Sequence, residues 1–312
     1  MLAQLEELHP DELQIVYRHF PLLSIHDKAS IAGQAAEAAG SQGSFWEMHD
    51  LLFGRFGEWA GLSPEDFMNW IESSIGDLDL NQDQFLEDLN SGRYESVMLD
   101  HFETGLASGL TGTPFLLING VYFQLAPDLI PLEASIRLLL LEDEMEAEYP
   151  PMTIEPGTDY IARLHLDQGD VVIQLYQDSA PLAVNSFIYL AEKGWYDENA
   201  FHLVIPSTLV ATGDPSGTGF GNPGYTFPIE TDSALTFDEA GMVAISSIAP
   251  DMNGSQFFIT LGPLSSLDGS RTIFGRVIEG LEILENLEER DSLTQLMETP
   301  EAIIRSITIE AQ

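Results

Sequence analysis

The chain has 312 residues, 51 of them acidic and 11 basic, and no cysteine. At roughly 100–200 residues per domain the length is that of two domains, and an apolar fraction of 44% excludes a disordered acidic tail. A net charge of −40 excludes nucleic-acid binding, which needs clustered Lys and Arg, while the absent cysteine excludes disulfides, thiolate metal sites and cysteine nucleophiles.

The acid is spread evenly, with 27 acidic and 5 basic residues in 1–150 against 24 and 6 in 151–312. It is therefore a property of the whole surface. Two readings stand: solubility in a salty or crowded setting, or long-range attraction to a basic polypeptide partner within a larger assembly. The charge also works against docking on anionic lipid. No apolar run reaches 18 residues, so no transmembrane segment is expected in this chain. The start is helical and acidic, without the basic and apolar regions of a signal peptide.

In chain order, residues 13–20 read as a strand. Residues 28–55 read as helices: Ala29, Ala32, Ala35, Ala36 and Ala39 come first, then a stripe of Phe45, Met48, His49, Leu52 and Phe56 at i, i+3, i+4 spacing. Ser63-Pro64-Glu65-Asp66 is a helix start, with Ser63 as cap and proline in the first turn. Trp46, Trp59 and Trp70 fall in helical stretches and read as core anchors. Residues 114–119 and 121–124 form a predicted hairpin across Asn119-Gly120. The stretch 142–158, acidic and then broken by Pro150-Pro151 and Pro156-Gly157, reads as a linker. Beyond it, 160–166 and 170–175 read as strands around Asp167-Gln168-Gly169, and short strand-like runs continue to 303–309.

The second half carries a recognisable set of motifs. Gly169 to Tyr176 is followed by Ala180-Pro181, Val184-Asn185-Ser186-Phe187, Gly194-Trp195-Tyr196-Asp197 and Phe201-His202-Leu203-Val204-Ile205-Pro206. Then come Gly213-Asp214-Pro215, Asn253-Gly254-Ser255-Gln256-Phe257-Phe258-Ile259, Leu267-Asp268-Gly269 and Phe274-Gly275-Arg276-Val277. Over about 155–310 the chain resembles the cyclophilins, the peptidyl-prolyl cis-trans isomerases. The resemblance implies an antiparallel β-barrel capped by two helices, near 181–193 and 281–289, in a domain spanning 159–312. It also implies a peptide site at Phe201, His202, Leu209, Gln256, Phe258 and Leu267.

Isomerisation twists an amide against a barrier of about 18–20 kcal/mol, so a donor that weakens amide resonance in the twisted state is required. In the family an arginine directly after Phe-His supplies it; here the position is Leu203. Other family site positions have changed too: Thr208 stands for a pocket phenylalanine, Ala211 for a glutamine, Ser246 and Ser247 for Ala-Asn, and Ser266 for an aromatic or histidine. Arg271 occupies a family histidine position and is a surrogate donor on one reading, an exposed loop residue on the other. Arg276 and His202 read as structural. No catalytic residue is assigned, and the implied function is a degenerate family member that binds protein or serves as an assembly subunit. The alternative is an active or weakly active prolyl isomerase serving as an extracytoplasmic folding factor or chaperone.

The first half resembles the DsbA-like branch of the thioredoxin superfamily over about 1–141. The resemblance rests on Tyr17-Arg18-His19-Phe20-Pro21-Leu22, the alanine-rich helix leading to Phe45-Trp46-Glu47-Met48-His49-Asp50, the helical stretch 63–110, and Gly112-Thr113-Pro114-Phe115. It implies an α/β fold with a helical insertion and a cis bond before Pro114. The Cys-x-x-Cys of that branch is absent, as is the strand ahead of it, so the domain is redox-dead and no oxidoreductase. The natural chain is expected to begin upstream of Met1, where any signal or anchor would lie; by analogy an extracytoplasmic or cell-surface location follows. No cofactor is implied. His9, His19, His26, His49, His101, His165 and His202 show no metal-ligand spacing, and Asp77, Asp79 and Asp83 lack the offsets of a calcium loop.

Overall fold

The protein is described by a computed structural model covering residues 1–247 and 252–312. Its chain divides into two compact units, 2–125 and 126–312.

The first unit is mostly helical: α1 (Leu2–Leu8), α2 (Ala29–Gly40), α3 (Phe45–Gly54), α4 (Phe56–Trp59), α5 (Pro64–Ser74), α6 (Gln82–Asn90) and α7 (Glu95–Ala107), then β1 (Leu117–Ile118) and β2 (Val121–Tyr122). Small residues on α2 let its neighbours approach: Ala35, Ala36 and Ala39 pack with Met48, Leu52, Phe67, Ile71, Phe85 and Leu89. At Gly33 a Cβ would lie 2.2 Å from Met98 Sδ of α7, so a side chain there would displace the Met98 side chain. Ser63 caps α5 by accepting from the Asp66 amide at 3.1 Å, and Asn81 caps α6 from Gln84 at the same distance. The Asn119-Gly120 turn has φ of 49° and 80°, the left-handed pair that a two-residue hairpin uses. The Thr113–Pro114 bond is cis.

Three expectations need correction here. Residues 13–20 form no strand, because the only ladder among the described residues of this unit is the short β1–β2 pair, and a strand exists only with a partner for its backbone. The segment is anchored by side chains instead: Tyr17 packs on Phe45, Trp46 and His49, and Phe20 stacks on Phe102 at 5.1 Å. Trp46 is no core anchor, being 44% exposed, whereas Trp59 and Trp70 do pack against the core. Phe56 falls outside α3, which ends at Gly54, and is exposed.

The second unit opens with α8 (Leu129–Leu141). It continues through β3 (Tyr160–Leu166), β4 (Gly169–Leu175), α9 (Pro181–Glu192), β5 (Asn199–Ala200), β6 (Leu203–Ile205), β7 (Leu209–Thr212) and β8 (Phe227–Pro228). Then follow β9 (Met242–Ile245), β10 (Met252–Asn253), β11 (Phe257–Thr260), β12 (Ile273–Glu279), α10 (Leu281–Glu285), β13 (Arg290–Asp291), α11 (Ser292–Gln295) and β14 (Ile303–Ala311). Among the described residues, ten strands make one antiparallel sheet in the order β13-β6-β7-β11-β9-β12-β4-β3-β14-β5. The sheet curls: β5 is one edge and β6 lies next to the other, yet only Phe201 and His202 separate them in sequence. Alternation sends Val210, Phe257, Ile259, Val243 and Ile245 inward, where they meet Phe187, Tyr196 and Phe274. The α10 helix ends at Glu285, four residues short of its expected extent, before the chain re-enters the sheet at β13. The stretch read as a linker is fastened to this unit: the Glu146 amide donates to Pro223 O at 2.9 Å, Tyr149 Oη to Leu182 O at 2.7 Å, and the Thr153 amide to Asn185 Oδ1 at 2.7 Å.

Candidate functional site

The opposite face of the same strands builds the candidate site. Leu203 on β6 pairs with Ala211 on β7, Ala211 with Phe258 on β11, Phe258 with Ala244 on β9, and Ala244 with Ile273 on β12. Directly paired residues point to the same side of a sheet, so these five side chains form one row across five strands. With Phe237 and Met242 buried beside it and Leu209, Leu264 and Leu267 half-buried at its margin, the row is a second apolar cluster separate from the main core. Every side chain in the row is hydrocarbon. Where the sequence resemblance calls for a guanidinium, the row presents Leu203.

Of the six expected peptide-site residues, the structure brings together Leu209, Phe258 and Leu267. The other three lie elsewhere. Phe201 is 1% exposed and belongs to the main core. Gln256 spends its amide on Gly219 O at 3.0 Å and Gly221 O at 2.8 Å. His202 is buried and its Nδ1 has no partner among the described residues; burial lowers its pKa against the opposing pull of Asp214, which favours the neutral ring. Asp214 ties the glycine loop by accepting from the amides of Ser216, Gly219 and Gly221 and the hydroxyls of Ser216 and Thr218. At Gly221 a Cβ would stand 2.0 Å from Asp214 Oδ1, which excludes any side chain there.

The substituted positions are equally plain. Thr208 Oγ1 donates to Pro206 O at 3.3 Å, the Ser246 amide donates to Gln256 O at 2.8 Å, and Ser266 is exposed in a short turn. Arg271 donates to Ser270 O at 2.8 Å, and Arg276 pairs with Glu239 at 2.8 Å. Phe237 was not found from sequence. Its ring stacks on Phe258 at 5.7 Å, because its amide donates to Asp268 Oδ1 at 2.8 Å and its carbonyl accepts from Leu264 at 2.7 Å. A lone aromatic in a loop gives no periodic signal. Ala244 and Ile273 were missed too, although alternation along β9 would have placed Ala244 on the outer face. Among the described residues, no group of three or more His, Asp or Glu is arranged to hold a metal ion, and no helix is long and apolar enough to cross a membrane.

Comparison with known proteins bears on this geometry. Residues 161–309 match the family model described as cyclophilin type peptidyl-prolyl cis-trans isomerase/CLD. A mouse (Mus musculus) protein named peptidyl-prolyl cis-trans isomerase-like 1 is 40% identical over 144 residues, covering 45% of this chain and 85% of that protein. The chain belongs to the cyclophilin family. A peptidyl-prolyl cis-trans isomerase of Schizosaccharomyces pombe is 40% identical over 151 residues, 47% of this chain and 97% of its own. The crystal structure of a Cryptosporidium parvum cyclophilin type isomerase is 33% identical, covers 49% of this chain and 99% of its own, and has a TM-score of 0.45. The first half of this cyclophilin, residues 2–136, matches the family model described as thioredoxin, so a thioredoxin-type domain precedes the cyclophilin domain.

Proposed function

We propose that this cyclophilin binds polypeptide segments against the apolar row and turns them over poorly, serving as a protein-binding or assembly subunit. The observation that carries this is Leu203. A leucine offers no hydrogen to an amide nitrogen in its twisted state, and the loss of one such donor costs on the order of 10²–10³ in rate. Leu209, Phe258 and Leu267 keep an apolar surface of the kind a proline ring packs on. The thioredoxin-type half has no cysteine and contributes no thiol chemistry; its part is a further binding surface. The surplus of acid favours basic segments as partners.

A second reading is a weakly active isomerase in a folding-factor role, with Arg271 as donor. It is supported by the fact that the Arg271 guanidinium, among the described residues, makes only one exposed bond to its neighbour's carbonyl. Proline-peptide turnover by the wild-type protein separates the two, an ordinary rate favouring the second, and Leu203→Arg tests the first. On the first reading it raises proline-peptide turnover about 10²-fold or more. An unchanged rate in a folded variant would mean that the changes at Thr208, Ala211 and Ser266 disable the pocket without help from Leu203.

A further inference from the structure

Arg137 of α8 and Arg290 of β13 line one open cleft of about 240 Å³ in the second unit, with Leu296, Met297 and Pro300 among its walls. Several arginines of this acidic chain are paired with carboxylates, Arg55, Arg93, Arg163, Arg276 and Arg305 among them. Arg290 makes no such pair among the described residues. Its Nη2 donates to the backbone carbonyls of Gln295 at 3.1 Å and Glu298 at 3.0 Å, and its buried Nε has no acceptor among the described residues. Arg137 spends Nε on Glu133 at 2.6 Å, while its Nη1 only grazes Ser216 O at 3.5 Å.

Two guanidiniums facing one cleft repel each other, and neither gives up its proton at ordinary pH. Burial pulls the pKa of Arg290 down, Glu298 opposes this, and Arg137 adds to the fall. Glu298 also lines the cleft, but it is exposed and its carboxylate accepts from Gln295 Nε2 at 3.1 Å. A ligand could therefore pass it without disturbing the core.

We propose that this cleft binds an oxyanion, a phosphate or carboxylate group on a small apolar body, held by Arg137 and Arg290 with the body against Leu296, Met297 and Pro300. Planar forks of this kind match both groups. The site does not depend on the reading of the apolar row.

The test is a titration of the ¹⁵N-labelled full chain, following the Arg290 Nε–H resonance, which Arg290→Lys identifies by its loss. The probes are inorganic phosphate and, separately, isobutyrate, each against chloride at matched ionic strength. The expected result is a saturable shift with at least one oxyanion and none with chloride; which oxyanion acts names the group. In Arg137→Lys, which keeps the charge beside Glu133 but loses the fork, binding weakens about tenfold. No shift, or the same shift with chloride, overturns the site. Undiminished binding in the folded Arg137 variant overturns the two-arginine assignment, and the wild-type titration decides the matter if that variant does not fold.

Discussion

Asp214 is a carboxylate with no exposure and five donors aimed at it. Replacing it with asparagine keeps the shape but turns one acceptor into a donor facing donors. Asp214→Asn is expected to cost on the order of 3 kcal/mol, read as a lower denaturant midpoint at unchanged slope; wild-type stability would contradict that role. His19 and His202 set a pH dependence. Burial lowers the pKa of both, so below about pH 6.5 the unfolded chain takes up protons that the folded chain refuses. Stability from these two groups is complete above that pH and is lost as pH falls. A thermal midpoint that falls between pH 7.5 and 5.5 is the expected result, and Phe substitutions at both histidines should flatten it. At this scale Leu203 was legible in the sequence, because Phe201-His202 and Ile205-Pro206 fix its register from both sides. Phe237 was not, since its place beside Phe258 depends on a bond to Asp268 from another loop.

Among elements, strands with a partner on each side, such as β3 with its alternating burial and β4 with its apolar run Val171–Ile173, could be read directly from sequence. Residues 13–20 could not. Their composition suits a strand, but strand formation depends on a neighbour, which composition does not record. The hairpin turn was legible from Asn119-Gly120, whereas the shortness of its strands was not, because it reflects the exposure of Leu117 and Val121, which composition does not record. Exchange of backbone amides should follow the same division. The amides of 13–20 and of β1–β2, with few ladder bonds, are expected to exchange orders of magnitude faster than those of β3, β4 and β14. Slow exchange across 13–20, measured by mass spectrometry on the full chain, would mean that this segment has a backbone partner.

For the whole molecule, the charge of −40 imposes a self-repulsion that salt relieves. Raising sodium chloride from ~10 to ~150 mM shortens the screening length from about 30 to about 8 Å, and the thermal midpoint should rise with it; a fall would show that the surface ion pairs outweigh the repulsion. On the proposed reading, Leu203 stands where the cyclophilin half would need its arginine donor, and this chain has no cysteine for thiol chemistry. The same proposal has the apolar row on the cyclophilin sheet, with Leu203, Leu209 and Leu267 half-buried at its accessible margin, hold a chain and turn it over poorly. Proline-peptide isomerisation by the wild-type protein, assayed beside an ordinary cyclophilin under the same conditions, tests this most directly. The expected turnover is about 10²-fold or more below that of the reference; turnover within tenfold of it would contradict the account.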